Sequence, residues 1–289
     1  MTVTRHGVTA ADGAAMTSLR AALAANPIAI TRASFDGLFE QVPPAEAVDY
    51  SESTVGGVPG VWCVPRGHRA AAALLYLHGG GFIYGSARAF RHLAGQIAVR
   101  AGVPAFVADY RLAPEHVFPA ALDDARAVYR GLATEFGGAL ALAGDSAGGG
   151  LALSLLQEEP GARCGVLLSP WTDLALTGAS IESKAAEDPL LTRAGLEGGV
   201  RQYLGAHDRR DRRASPLYGP TRKTPPIQVH VGTAEILLDD SLRLGASDRI
   251  DVHAWEGMTH VFPSSIGLFE AARSAHDLIA VFLRTQLAT

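Results

Sequence analysis

The sequence predicts an α/β fold, a mostly parallel twisted sheet with helices on both faces, and three observations predict it. From about Val58 onward, short apolar runs alternate with longer stretches whose apolar residues recur at helical spacing, as in βαβ units. The later runs are apolar throughout, as strands buried on both faces are. The 289-residue chain is 48% hydrophobic and 19% charged, enough apolar material for one large core and far from a disordered composition.

In chain order, residues 1–45 hold two short helix candidates, Thr17 to Ala25 and one around Ser34 to Glu40, separated by Asn26-Pro27 and neither followed by a convincing strand. Strand candidates follow at Val58 to Val64, Ala72 to Leu77, Val103 to Ala108, Leu140 to Ala143, Gly165 to Leu168, Ile227 to Val231 and Ile250 to Ala254. Helix candidates between and after them are Arg88 to Ala101, Pro119 to Phe136, Ala147 to Gln157 and Ile266 to Leu287. The last shows Ile266, Phe269, Ala272, Ala275, Ile279, Phe282 and Leu283 at helical spacing. Residues 172–213 interrupt the alternation with helices and loops rich in Gly, Glu and Arg. We expect a catalytic domain of residues 46–171 and 214–289, with 172–213 inserted as a cap over the strand ends and 1–45 as the N-terminal part of that cap.

Charge and composition exclude several classes. Lys and Arg number 25 against 29 Asp and Glu, a net charge of −4, so no general positive field draws in nucleic acid. The longest apolar run, Ala70 to Leu77, is far short of the roughly 20 residues of a membrane-spanning helix. Met1 to Pro27 lacks the apolar stretch of a signal peptide, so a cytoplasmic protein is expected. Cys63 and Cys164 sit in strand-like segments without CxxC spacing and read as inert buried thiols. No HExxH, Cys/His cluster or paired-carboxylate spacing suggests a metal.

Two motifs carry chemistry. Gly144-Asp145-Ser146-Ala147-Gly148-Gly149 lies directly after one strand candidate and directly before a helix, the setting in which G-x-S-x-G becomes a nucleophile elbow. The small glycines let the chain turn sharply there, leaving the Ser146 hydroxyl exposed. The helix start beyond it supplies free N–H groups and a positive dipole end. A capping serine in a Gly-rich helix entry is the plainer reading of such a motif taken alone. His78-Gly79-Gly80-Gly81-Phe82 follows another strand, and such a loop can aim backbone N–H groups at a developing negative oxygen. Gly80, Gly81 and Ala147 are the expected donors. A phosphate loop would need a glycine spacing that is missing here.

With these motifs on the page, the sequence resembles the hormone-sensitive-lipase-like branch of the α/β-hydrolases, bacterial carboxylesterases bearing HGGG and GDSAGG motifs. The resemblance spans most of residues 70–289 and includes Asp109-Tyr110-Arg111-Leu112-Ala113-Pro114-Glu115, Phe118-Pro119-Ala120-Ala121-Leu122-Asp123-Asp124 and Ala214-Ser215-Pro216-Leu217-Tyr218. Within the branch it is most similar to short esterases of the monoterpene lactone hydrolase type. The resemblance implies an eight-stranded α/β-hydrolase sheet with a helical cap, a serine carboxylesterase acting on short- to medium-chain acyl esters, no cofactor, and a monomer or dimer, of which we expect the homodimer.

Such a triad runs serine, acid, histidine along the chain. His260 fits as base because it lies in a loop after the last strand candidate and matches the family's terminal histidine motif. His230 and His253 fall inside strands, His276 on a helix face and His207 in the charged insertion. The acid should follow the strand Ile227 to Val231. Glu235-Ile236-Leu237 stands where the family usually has Asp in a D-x-L pattern, so Glu235 is assigned, with Asp239 and Asp240 as alternatives that read better as helix residues. Expected pocket walls are Phe35, Phe39, Phe82, Tyr84, Leu190, Leu191, Tyr203, Val261 and Phe262, although the Leu and Phe among them read equally well as core. Arg111, Glu115 and Asp124 are expected to brace the glycine loop, Asp145 to tie down the elbow, and residues 208–213 to form a solvated loop. The stretch Asp239 to Asp251 leaves room for only a short helix.

A lactonase, deacetylase or amidase would use the same groups and differ in leaving group and pocket shape. A ligand-binding module on a hydrolase scaffold would have lost the histidine, which stands here. An epoxide hydrolase or dehalogenase would need a carboxylate at position 146.

Overall fold

The computed structural model describes residues 2–25, 30–69 and 71–287; Asn26-Pro27 and Ala70 lie outside the described residues. In chain order the elements are β1 (Thr2–His6), α1 (Ala10–Ala25), α2 (Arg32–Phe39), β2 (Val48–Val55), β3 (Val58–Pro65), β4 (Ala73–Leu77), α3 (Ala87–Ala101), β5 (Ala105–Ala108), α4 (Ala120–Phe136), β6 (Leu140–Asp145), α5 (Ser146–Glu158), β7 (Ala162–Leu168), α6 (Ser180–Ser183), α7 (Arg193–Leu204), β8 (Ile227–Gly232), α8 (Leu238–Leu244), β9 (Ile250–Trp255) and α9 (Glu270–Leu287). The strands form one sheet in the order β1-β9-β8-β7-β6-β4-β5-β3-β2. β2 and β3, and β3 and β5, pair antiparallel; every other pairing is parallel.

The apolar runs become central strands because alternate side chains feed two cores. Leu75, Leu77, Leu142, Leu167, Val229 and Val231 face a core built with α4, α5 and α8. Leu74, Tyr76, Ala143, Val166 and Leu168 face the opposite core with α3 and α9. Helix α3 shows how local sequence sets an element: Ser86 accepts the Ala89 N–H as its N-cap, Gly102 at φ 73° ends it, and Phe90, Leu93, Ala94 and Ile97 between them form its buried stripe.

Two strands escape the sequence pattern. β2, Val-Asp-Tyr-Ser-Glu-Ser-Thr-Val, is an outer hairpin strand with most side chains exposed, so its apolar signal is faint; the hairpin turns at Gly56-Gly57, both at positive φ. β1 contributes little apolar area and is held by pairing parallel to β9. Among the described residues the sheet therefore has nine strands, not eight. Residues 2–6 belong to this sheet rather than to a cap, and α1 packs beside α9, with Met16 in a cluster that includes Trp255, Phe262 and Phe269. The buried Asp12 of α1 caps α9, accepting the Glu270 N–H at 2.7 Å and the Ala271 N–H at 3.0 Å, so that helix starts at Glu270 rather than Ile266.

This topology gathers the chemistry. The C-terminal ends of β4, β6, β7, β8 and β9 are in register, with Leu77 beside Gly144, Asp145 beside Leu168, Leu168 beside His230 and Gly232 beside Trp255. Loops leaving those ends open onto one rim, where ligands of parallel sheets are bound. Among the described residues no helix is long and apolar enough to cross a membrane.

Candidate active site

The elbow between β6 and α5 carries Ser146 at φ 51°, a left-handed conformation costly for a residue with a Cβ. Gly148 permits the turn, since a Cβ there would stand 2.0 Å from the Leu77 carbonyl oxygen. Asp145 ties the elbow to its neighbour as expected. Its buried carboxylate accepts the Tyr76 hydroxyl at 2.9 Å and the Gly79 N–H at 2.9 Å. Burial nevertheless pushes its pKa up to about 7, against those two donors.

The loop after β9 brings His260 over Ser146. His260 Nε2 lies 3.0 Å from Ser146 Oγ, and its Nδ1 lies 3.1 Å from Glu235 Oε1. A carboxylate only accepts, so Nδ1 carries the proton and Nε2 turns its lone pair to the serine hydroxyl. Burial works against charge on His260, but the carboxylate of Glu235, its hydrogen bond, and the charges of Asp188 and Asp145 outweigh it and raise the pKa above the ordinary 6.5. Glu235 is fully buried, and its Oε2 accepts the Ser169 hydroxyl at 2.7 Å and the Gly232 N–H at 3.1 Å.

The alternatives lie elsewhere. Asp239 accepts the Ser180 N–H, and Asp240 accepts the N–H groups of Thr172 and Asp173. His230 and His253 stack on one another within the sheet, His276 bonds the Pro263 carbonyl, and His207 packs edge-on against Phe118.

The glycine loop after β4 brings Gly80 and Gly81 to the same rim, at φ 115° and 62°. A Cβ on Gly80 would lie 2.2 Å from the Tyr84 carbonyl oxygen, so the backbone fold of this loop requires glycine there. Ala147 is the second residue of α5, where N–H groups have no acceptor within the helix. Trp171 follows closely, its N–H donating to the Ser146 carbonyl at 2.9 Å.

The expected pocket walls divide. Phe82 and Tyr203 are each 1% exposed and stack at 3.8 Å, and Phe262 is fully buried against Trp255, so these three belong to the core. Phe39 stacks on the buried Phe90 at 4.0 Å and serves the core as much as any pocket. Tyr84 and Leu191 are half-buried, Leu190 is exposed, Phe35 lies 5.5 Å from Tyr84, and Val261 is buried beside His260. The expected bracing of the glycine loop also separates. Arg111 pairs with Asp124, whereas Glu115 pairs with Arg32 of α2, whose guanidinium also donates to the carbonyls of Ile83 and Ala113. Residues 208–213 form a largely exposed loop as expected, in which Arg209 pairs with Glu197 and Arg213 lies over Phe118. The short helix expected before the last strand is α8. Both thiols are free and buried, which pushes each pKa up to about 12.

Ser169 and Asp188 escape the sequence reading. Asp188 accepts the N–H groups of Leu190 and Leu191 through one oxygen and that of Ile236 through the other, joining the inserted segment to the loop of Glu235. Isolated polar residues give no motif; the only available signal for Ser169 is its place at the end of a strand between two strands that end in chemistry.

Comparison with known proteins shows the family. Residues 74–264 match the sequence family described by the α/β hydrolase fold. An acetyl-hydrolase of Streptomyces hygroscopicus is 37% identical over 257 residues, covering 84% of each chain. An esterase of Acinetobacter venetianus is 34% identical over 228 residues, covering 74% of this chain and 75% of its own. The crystal structure of a hormone-sensitive lipase from a metagenome library superposes with a TM-score of 0.89 at 33% identity, covering 94% of this chain and 97% of that one.

Proposed function

The chain belongs to the α/β hydrolase fold family, and from that premise we propose that it is a serine carboxylesterase in which Ser146 is the nucleophile, His260 the general base and Glu235 its orienting acid. The observation that carries this reading is the unbroken hydrogen-bonded chain from Ser146 Oγ through both nitrogens of His260 to Glu235.

Ser146 Oγ attacks the ester carbonyl carbon while its proton passes to His260 Nε2, leaving a tetrahedral carbon with a negative oxygen. The N–H groups of Gly80, Gly81 and Ala147 are assigned to that oxygen, where fixed donors are worth far more than in water. Glu235 stabilises the imidazolium that forms. His260 then returns the proton to the departing alcohol as the C–O bond breaks, leaving an acyl-serine. Water, deprotonated by the same imidazole, attacks the acyl carbon; the acid leaves and Ser146 recovers its proton.

Residues 172–213 are assigned to the cap, supported by Asp188, which ties this segment to the acid loop; α2 is assigned to it as well, its Arg32 donating to the Ile83 carbonyl just past the glycine loop. Tyr84, Phe35, Leu190, Leu191 and Val261 remain the proposed pocket walls. Short acyl groups are the favoured substrates, supported by a similar protein that is named an acetyl-hydrolase. A homodimer and a cytoplasmic location, the latter in keeping with two buried free thiols, complete the proposal. Light scattering giving a strict monomer removes the dimer.

A series of p-nitrophenyl esters from acetate to palmitate, with a simple lactone beside it, tests the function. Hydrolysis of the short esters that disappears in Ser146→Ala is expected. Silence of the folded wild type across the series, or full activity in Ser146→Ala, would contradict it.

A further inference from the structure

The geometry points to Ser169 as a positioning residue, whose hydroxyl locks the Glu235 carboxylate to the backbone of the loop that carries His260. The inference rests on the roles given above to Ser146, His260 and Glu235.

Ser169 directly follows β7, the strand between β6, which leads to the nucleophile, and β8, which leads to the acid. It is fully buried, so it touches neither solvent nor substrate. Its Oγ lies 2.7 Å from Glu235 Oε2 and 3.0 Å from the Val261 nitrogen. The bond directions are forced. An amide N–H only donates and a carboxylate only accepts, so the hydroxyl receives from Val261 and gives its single proton to Glu235. Because Val261 is the residue after His260, a ring closes: hydroxyl to carboxylate, carboxylate to imidazole, and back through one peptide unit to the hydroxyl.

Among the described residues, three groups hydrogen-bond the carboxylate: His260, the Gly232 N–H and Ser169. Gly232 ends β8 only three residues before Glu235, so its N–H ties the carboxylate to its own strand. Ser169 is therefore the anchor from outside the pair. A glutamate has one more rotatable bond than the aspartate usual at this place, so its carboxylate is freer to swing and gains more from such an anchor.

The backbone adds an independent observation. Ser169 has φ 45° and Val261 φ 51°, so both ends of the hydrogen bond are held in the left-handed region, in which glycine is at ease and a β-branched residue is an outlier. Glycine would relieve the backbone at 169, yet the chain keeps a side chain there. Strain of this kind persists where the surroundings over-determine it, and here it holds the serine hydroxyl against the acid.

Ser169→Gly and Ser169→Ala, assayed on p-nitrophenyl acetate beside Ser146→Ala, test the inference. Both variants should lose kcat by about 10- to 100-fold, the scale of a small misplacement of a catalytic group. KM should stay within about twofold, because no substrate contact is removed. In a Glu235→Gln background the same substitutions should cost less than about threefold, since the residue acts through that carboxylate. Wild-type kcat in the glycine variant, a loss confined to KM, or an undiminished loss in the Glu235→Gln background would overturn it. So would failure of both variants to fold, which would make the role one of architecture. If Ser146→Ala itself retains activity, the triad reading falls; if Ser146→Ala is dead while Ser169→Gly is fully active, only the present inference falls.

Discussion

Strands β8 and β9 carry histidines in two contrasting settings. In the sheet, His230 and His253 stack at 4.9 Å and His6 of β1 stacks at 3.9 Å on Trp255; His6 Nε2 and His253 Nδ1 are 2.9 Å apart. The partners of His230 are the amide oxygen of Gln228 and the indole N–H of Trp255. Burial, together with the neighbouring imidazoles, holds its pKa well below 6.5, and the same causes lower that of His6 against the pull of Asp251. A few residues on, past the ends of the same strands, His260 is also buried, yet its pKa is raised because a carboxylate faces it. Burial alone yields a neutral structural imidazole. Burial beside a fixed carboxylate yields one that can accept a proton and hold it.

The largest effect should come from removing the imidazole that bonds the nucleophile; His253 also faces a carboxylate, Asp251 at 3.2 Å, but lies within the sheet. His260→Ala should lower kcat by about 10⁵- to 10⁶-fold, whereas His253→Gln should leave kcat per folded molecule unchanged. Steady-state rates normalised by active-site titration check both. Comparable losses in the two variants would erase the distinction.

Next comes the carboxylate. Glu235→Gln keeps the shape but removes the charge and should cost about 10⁴-fold in kcat. It should also move the pH profile. His260 must be neutral to take the serine proton, so kcat/KM of the wild type rises with pH through a midpoint above 6.5. Without that negative charge only Asp188 and Asp145 oppose burial, and the midpoint falls below that of the wild type. A profile that does not move would show that Glu235 is not the group setting the charge of His260.

The smallest effect belongs to the stacked histidines and is one of stability. His6→Gln breaks the 2.9 Å contact with His253 and should cost about 1 kcal/mol at pH 8, read from denaturant unfolding. The folded pKa of His6 is depressed, so its contribution is present above the unfolded value of 6.5 and is lost as pH falls. The gap between wild type and variant should therefore narrow from pH 8 to pH 5. Taking the difference cancels Asp145 and Asp240, whose pKa values, pushed up to about 7 by burial, act in the opposite sense.

The same contrast explains what was legible in the sequence. Gly144 to Gly149 and His78 to Phe82 are contiguous, and their chemistry needs small residues at fixed spacing, so the sequence alone points to the elbow and the glycine loop. Glu235 and His260 follow from their places after successive strands. The burial of Phe82, Tyr203 and Phe262 is not legible, because an aromatic residue looks the same in sequence whether it fills a core or lines a pocket. β1 and β2 were missed because they bury little and depend on pairing with distant partners. Ser169 was hidden because its meaning comes from three loops meeting, which no local pattern records.

The most direct test of the account is the site of covalent labelling by diethyl p-nitrophenyl phosphate, followed by intact-mass and peptide mass spectrometry as p-nitrophenolate is released. The account predicts one diethylphosphoryl group, on Ser146, formed readily in the wild type, more slowly in Glu235→Gln and His260→Ala, and absent in Ser146→Ala. Labelling at another residue, or equal rates in the wild type and His260→Ala, would contradict it.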